Sequence, residues 1–342
     1  MTALQARLAP APALQRLPLV TLYLTERCNS RCRTCDYWRH GRTDMTLDAV
    51  RRLLPSLERL GTHLVLVSGG EPLLNPQWDQ IAELLSSQGM KLWLLTSGLA
   101  LAKHAGRCAE LFDSITVSLD GARARTYEAI RGLDAFEHVC AGIRSAVGLG
   151  AHVSVRVTIQ RANYREVPAL VDLAEQLGAQ QISFLAVDVA NPHAFARTGG
   201  LDEQIALGAD DLPVFAHVLR SLEQERAAAF RSGFIAESPA RLQHILRYFE
   251  AVCRKGSYPP VRCNAPEFSA VVGAQGHVSP CFFIPGPPDA VARDGLDDAL
   301  NIEPMLDLRR AIRSGQRAEC ARCVCSLWRD PEEQADLLSY HA

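Results

Sequence analysis

Between residues 19 and 185, short apolar runs alternate with stretches whose apolar positions recur every three or four residues. The runs LVTLYL (19–24), HLVLV (63–67), KLWLL (91–95), SITVS (114–118), HVSVRVTI (152–159) and QISFL (181–185) predict strands. The stretches 47–60, 78–88, 102–111, 135–148 and 167–177 predict helices, and Gly61, Gly89, Gly150 and Gly178 stand where helices commonly stop. Repeated strand–helix alternation predicts parallel strands joined by crossover helices, in an open sheet or in a full or partial barrel. After residue 188 the pattern changes. Residues 191–210 are rich in Gly, Ala and polar side chains and predict a loop or linker. Residues 211–231, 239–253 and 302–314 predict helices, and 271–281 predicts two short strands around a glycine turn.

Polar and glycine-rich motifs follow the strands. A cysteine group follows the first, Gly69-Gly70-Glu71-Pro72 the second and Thr96-Ser97-Gly98 the third, while Ser118-Leu119-Asp120-Gly121 closes the fourth. In folds with parallel strands, ligand sites gather at the carboxyl ends of the strands, so these motifs predict one shared rim. Arg156 and Thr158, two apart on the fifth strand, share one of its faces.

Composition narrows the class. Of 342 residues, 48% are apolar and 22% charged, with a net charge of −2, which fits a globular protein with no general attraction to nucleic acid or to an anionic membrane. No apolar run approaches the length of a membrane span, and residues 1–17 lack the apolar core of an export signal, so a cytoplasmic protein is expected. The cysteine count of 11 is high and clustered: 28, 32 and 35 lie together, as do 320, 323 and 325, with 253, 263 and 281 between. Clustering in a chain of this length favours metal or iron–sulfur ligation over a disulfide framework. Cys108 and Cys140 fall inside helical patterns and are expected to be buried structural thiols.

Cys28, Cys32 and Cys35 place three thiols within eight residues. Three thiolates hold three irons of a four-iron cube and leave one iron without a protein ligand. A closed zinc site with His40 as fourth ligand is the alternative on spacing alone. The C-x3-C-x2-C spacing, with Gly69–Pro72, Ser118–Gly121 and Arg131-Gly132, resembles the motifs of the radical S-adenosylmethionine (SAM) superfamily over residues 18–190. That resemblance implies an α/β fold, a partial (β/α)6 TIM-like barrel. It implies a [4Fe-4S] cluster with an open iron site on Cys28, Cys32 and Cys35, SAM chelated at that iron, and a 5′-deoxyadenosyl radical that abstracts hydrogen. It carries SAM contacts onto Gly69, Gly70, Glu71, Ser118, Asp120 and Arg131, with Thr96 and Ser97 beside them. The family usually has an aromatic residue just before its third cysteine. Here that position is Thr34 and Tyr37 follows instead, so Tyr37 is the expected contact near the adenine.

In the tail, Cys263, Cys281, Cys320 and Cys323 resemble the ligands of a SPASM or twitch extension, which implies a second, auxiliary [4Fe-4S] cluster. Cys325 stands as an alternative to Cys323, Cys253 as a spare thiol, and zinc as an alternative occupant. The expected divisions are an N-terminal extension at 1–17, a core at 18–190, a helical linker region at 191–255 and a small iron–sulfur domain at 256–342. The resemblance implies an electron donor such as flavodoxin or ferredoxin. The leading expectation for the substrate is a small molecule (a sugar, nucleoside or natural-product intermediate), followed by a peptide. A non-enzymatic zinc or iron–sulfur protein is the competing class, and the strand-end motifs argue against it. A radical SAM methyltransferase is a third possibility, disfavoured because no separate cobalamin-binding region is recognisable.

Overall fold

The computed structural model describes residues 13–197, 203–293 and 295–335. Most of the expected N-terminal extension lies outside these residues, as does the side chain of His40. The elements run β1 (Leu19–Thr25), α1 (Leu47–Arg59), β2 (Leu64–Gly69), α2 (Trp78–Ser87), β3 (Lys91–Thr96), α3 (Leu101–Leu111), β4 (Ser114–Ser118), α4 (Ala124–Arg131), α5 (Phe136–Gly148), β5 (Val153–Ile159), α6 (Val167–Gln176), β6 (Gln181–Ala186), α7 (Leu212–Glu225), α8 (Pro239–Val252), β7 (Ser269–Val272), β8 (Val278–Ser279), α9 (Leu296–Asn301) and α10 (Glu303–Arg313), with short helical turns between them. The six strands expected from the pattern pair in parallel in chain order, a partial TIM-like barrel.

Alternation along the strands sorts the sheet into two faces. Val20, Leu22 and Leu24 of β1, Val65 and Val67 of β2, Leu92 and Leu94 of β3, and Val155 and Val157 of β5 are essentially fully buried in one core with the helices. Each such side chain contributes roughly 1.5–3 kcal/mol of burial. The other face bears Tyr23, Leu66, Trp93, Thr116, Ser118, Arg156 and Thr158, all partly exposed. This second set forms the inner face of the barrel.

The tail joins the sheet instead of forming one of its own. Its β7 pairs in parallel with β1, and β8 pairs antiparallel with β7, giving one eight-stranded sheet. Ala265 and Phe268 pack on Leu64 beside Leu19, Trp93, Cys263 and Leu327, so tail residues cover the inner face at the beginnings of β1–β3. A polar tie adds to this: Asp297 at the start of α9 accepts from Ser56 Oγ at 2.6 Å and from Arg59 Nε at 2.9 Å.

Helix α4 was not legible in the apolar pattern. It has eight residues, of which Tyr127 and Ile130 are buried. The helix expected over 211–231 is broken into α7 and a turn at Ala227–Arg231, with Arg226 between them. Among the described residues no helix is long and apolar enough to cross a membrane.

Candidate active site

The cysteine triplet lies on the loop that leaves β1, and four hydrogen bonds fix that loop. Arg27 donates from Nη2 to Asp44 Oδ2 at 2.7 Å and to the Leu74 carbonyl at 2.6 Å. Arg31 N–H donates to the Arg131 carbonyl at 2.9 Å, and Arg33 N–H to that of Ile130 at 3.3 Å, which docks the loop on the last turn of α4. Gly132 then takes φ +72°, and a Cβ there would sit 2.5 Å from the Arg31 carbonyl oxygen. The Arg131-Gly132 pair thus has a local cause: only glycine lets α4 end this close to the cysteine loop.

Gly69 and Gly70 have a similar cause. A Cβ on Gly69 (φ +127°) would lie 2.4 Å from the Thr25 carbonyl oxygen, and one on Gly70 2.2 Å from that of Arg27. The backbone they approach is the chain's own, at the root of the cysteine loop. Glu71 next to them is fully buried. Its carboxylate accepts from Thr96 Oγ1 at 2.8 Å, Ser97 N–H at 2.7 Å, Ser97 Oγ at 2.6 Å and Leu73 N–H at 3.2 Å. Burial raises its pKa, and the donors from Ser97, Thr96 and Leu73 oppose the rise. Glu71, Thr96 and Ser97 therefore form one hydrogen-bonded knot that joins the ends of β2 and β3.

Asp120 and Arg131 form a buried ion pair, Nη2 to Oδ2 at 2.7 Å, and Thr158 N–H donates to Asp120 Oδ1 at 2.7 Å. Arg131 Nη1 reaches Cys32 Sγ at 3.5 Å, while its Nε is buried with no partner among the described residues. Burial alone would lower the Arg131 pKa, but Asp120 and the Cys32 thiol more than reverse it, so the guanidinium is held charged. Ser30 N–H donates to Cys28 Sγ at 3.4 Å. Burial pushes the Cys28 thiol up to about 11 and the Cys35 thiol up to about 12. Without a cation these thiols stay protonated, and a metal would displace their protons on binding. Tyr37 packs edge to face on Tyr23 of β1, ring centroids 5.8 Å apart, and Tyr23 meets Phe282, the neighbour of Cys281, at 6.4 Å.

The tail thiols come together through two distant segments that zip side by side. Asn264 N–H donates to the Leu327 carbonyl at 3.0 Å, its Nδ2 to the Arg329 carbonyl at 2.7 Å, and its Oδ1 accepts from Arg329 N–H at 2.9 Å. Arg262 lies over the Trp328 ring at 4.0 Å. Cys263 is thereby set beside the Cys320–Cys325 run. Burial pushes the thiols of Cys281 and Cys320 up to about 11 and that of Cys325 to about 12, and it raises Cys323 further. Cys325 N–H donates to Cys323 Sγ at 3.4 Å, and the thiols of Cys263, Cys281 and Cys323 lie near enough to act on that of Cys325. Cys325 therefore belongs to the same group as the four expected ligands. Cys253 does not: its thiol donates to the Leu207 carbonyl at 3.2 Å. Cys108 and Cys140 are buried in α3 and α5.

Among the described residues no three His, Cys, Asp or Glu side chains close tightly around a single metal ion. A four-iron cluster holds its thiolates farther apart, because irons and sulfides lie between them. The donor chemistry fits that group at both sites: three thiols on one loop, with N–H and guanidinium contacts to sulfur, and five thiols in the tail. The unpartnered Arg131 Nε beside Cys32 adds a donor for an anionic group.

Two features of the site gave no signal in the sequence. The segment after β6 straps both cysteine regions: Arg197 donates to the carbonyls of Thr34, Asn191 and Asp188, and Asn191 Nδ2 donates to the Phe283 carbonyl at 2.6 Å. Glu237, whose carboxylate accepts from Phe184 N–H at 2.8 Å, is pushed up to about 7 by burial.

Residues 22–174 match the model of the Radical SAM superfamily. Over 171 residues the chain is 33% identical to the pre-heme d1 synthase of Dinoroseobacter shibae, covering 48% of this chain and 42% of that protein. Over 201 residues it is 28% identical to a probable GTP 3′,8-cyclase of Methanococcus maripaludis, covering 56% and 67%. The chain thus spans between two fifths and two thirds of these relatives. Among solved structures, Streptococcus suis SuiB bound to S-adenosylmethionine shares the fold over 96% of this chain and 75% of its own, with TM-score 0.65 and 14% identity. The structure of anSMEcpe with bound AdoMet and Cp18Cys peptide does so over 85% and 82%, with TM-score 0.62 and 17% identity.

Proposed function

We propose, from the match of residues 22–174 to the radical SAM model, that this chain is an enzyme that cleaves SAM reductively and removes a hydrogen atom from a small-molecule substrate on the inner face of the barrel. The observation that carries this is the docking of the cysteine loop on α4, which brings Cys32 within 3.5 Å of Arg131 on the strand-end rim. A [4Fe-4S] cluster held there would supply one electron for cleavage of the SAM sulfonium to methionine and a 5′-deoxyadenosyl radical.

The chain's own residues position and exclude. Cys28, Cys32 and Cys35 would hold the cluster, and the Ser30 N–H and Arg131 contacts stabilise negative charge on sulfur. Arg131, fixed by Asp120, keeps Nε free for the SAM carboxylate. Glu71 holds Thr96 and Ser97 at the rim, so its part is to shape the SAM site rather than to act as a free acceptor. Tyr37 and Tyr23 close one side and limit water. Cys263, Cys281, Cys320 and Cys323, with Cys325 as a fifth thiol of the group, would hold the auxiliary cluster on the tail side.

A second reading, modification of a peptide, rests on the two structures that match most of the chain, one of which contains a bound peptide. The test is anaerobic reconstitution with iron and sulfide, then dithionite and SAM. The expected result is 5′-deoxyadenosine that disappears when Cys28, Cys32 and Cys35 are all replaced by Ala. Zinc in both sites with no SAM cleavage would sink the proposal.

A further inference from the structure

On the inner face, three side chains stand in one register row: Ser118 of β4 beside Arg156 of β5, and Arg156 beside Ser183 of β6. Strand alternation turns all three away from the helix-covered core, which takes Val117, Val155 and Phe184. Among the described residues none of the three side chains has a hydrogen-bond or ion-pair partner in the chain, and Arg156 Nε is buried without one. Other arginines near the site each have a partner in the chain: Arg131 pairs with Asp120, with only its Nε left over, Arg27 with Asp44, and Arg197 with three carbonyls.

A half-buried guanidinium without a partner is costly until one arrives. Five N–H donors in a fixed fork, beside the buried Ser183, match a carboxylate or phosphate. The row also has a definite place. Glu237 accepts from the N–H of Phe184, next to Ser183, and Arg241, one helical turn further on, donates to the carbonyl of Ser326 beside Cys325, whereas Arg131 reaches Cys32. The β6 end of the row therefore lies on the tail side of the rim, and among the described residues Glu237 closes no ion pair with Arg156.

We infer that Arg156, with Ser183 beside it, forms an anion subsite that anchors a carboxylate or phosphate group of the substrate between the two cysteine sites, while Ser118 at the other end of the row stays on the SAM side. The inference rests on the radical SAM reading of this chamber and adds a substrate class to it: molecules with an anionic group at fixed reach from the carbon that loses hydrogen. Arg156 is a positioning residue in this scheme, since it binds a remote part of the substrate.

The test uses the reconstituted holoenzyme saturated with SAM, so that the SAM site is already filled. Calorimetric titration with inorganic pyrophosphate probes the phosphate arm, and titration with glutarate probes the carboxylate arm. At least one probe is expected to bind the wild type, with affinity that falls as salt rises. R156Q is expected to weaken it at least tenfold, R156K to recover part of the loss, and S183A to weaken it a few-fold. Equal affinity in wild type and R156Q, or no binding of either probe to the wild type, would overturn the subsite. R156K and S183A keep the test decisive if R156Q does not fold. Binding is measured without turnover, so its result is separate from the SAM-cleavage assay on which the functional reading stands or falls.

Discussion

The two cysteine regions are built in opposite ways. The first is a single loop of eight residues, pinned by backbone hydrogen bonds to α4 and by two glycines at the end of β2. The second is assembled from segments as far apart as Cys263 and Cys325, held by the zipper between Asn264 and residues 327–329. The first depends on close backbone approach, where a single Cβ does harm. The second depends on side-chain hydrogen bonds, where losing one amide undoes the pairing. The two should therefore fail separately.

The largest effect is expected at the first region's buried carboxylate. Glu71→Ala leaves Ser97 N–H and the Thr96 and Ser97 hydroxyls without their acceptor, and should cost about 4 kcal/mol in an unfolding titration. Gly132→Ala comes next. A left-handed backbone plus a contact with Arg31 should cost about 2–3 kcal/mol and selectively lower iron bound at the first site. Equal loss from both sites would break the comparison. Asn264→Ala is the mirror experiment. It should cost about 2 kcal/mol and deplete iron from the tail site while substrate-free SAM cleavage persists.

The smallest effect is a pH dependence at the tie between α9 and α1. Hydrogen bonding from Arg59 holds the Asp297 carboxyl at about 2, below its ordinary value of about 3.9. Its contribution is thus fully present above about pH 4 and is lost as the pH falls toward 2. After solvent screening it is worth about 1 kcal/mol or less. Melting curves of wild type and Asp297→Asn should differ above pH 4 and converge below it; a constant offset would remove the tie from the account.

This contrast also explains what could be read before the structure. The barrel strands were legible because alternation and burial agree along them, and the first cysteines because a single loop writes its spacing into the sequence. The tail was less legible. That β7 extends the barrel sheet beside β1 depends on long-range pairing, which no local pattern records. The place of Cys325 depends on a zipper some 60 residues long in sequence separation. Gly69 and Gly70 were expected as SAM contacts, and the structure adds a second demand on them, since a Cβ at either would meet the backbone of Thr25 or Arg27. Arg156 was visible on its strand face, but its lack of a partner and its alignment with Ser118 and Ser183 appear only once the register is known.

The central claim is that two independent iron–sulfur sites flank one chamber, and iron counting tests it most directly. Reconstituted wild type should hold about eight irons per chain, with about four left when Cys28, Cys32 and Cys35 are replaced and about four left when Cys263 and Cys281 are replaced. Zinc in place of iron, or loss of all iron from either variant, would contradict it.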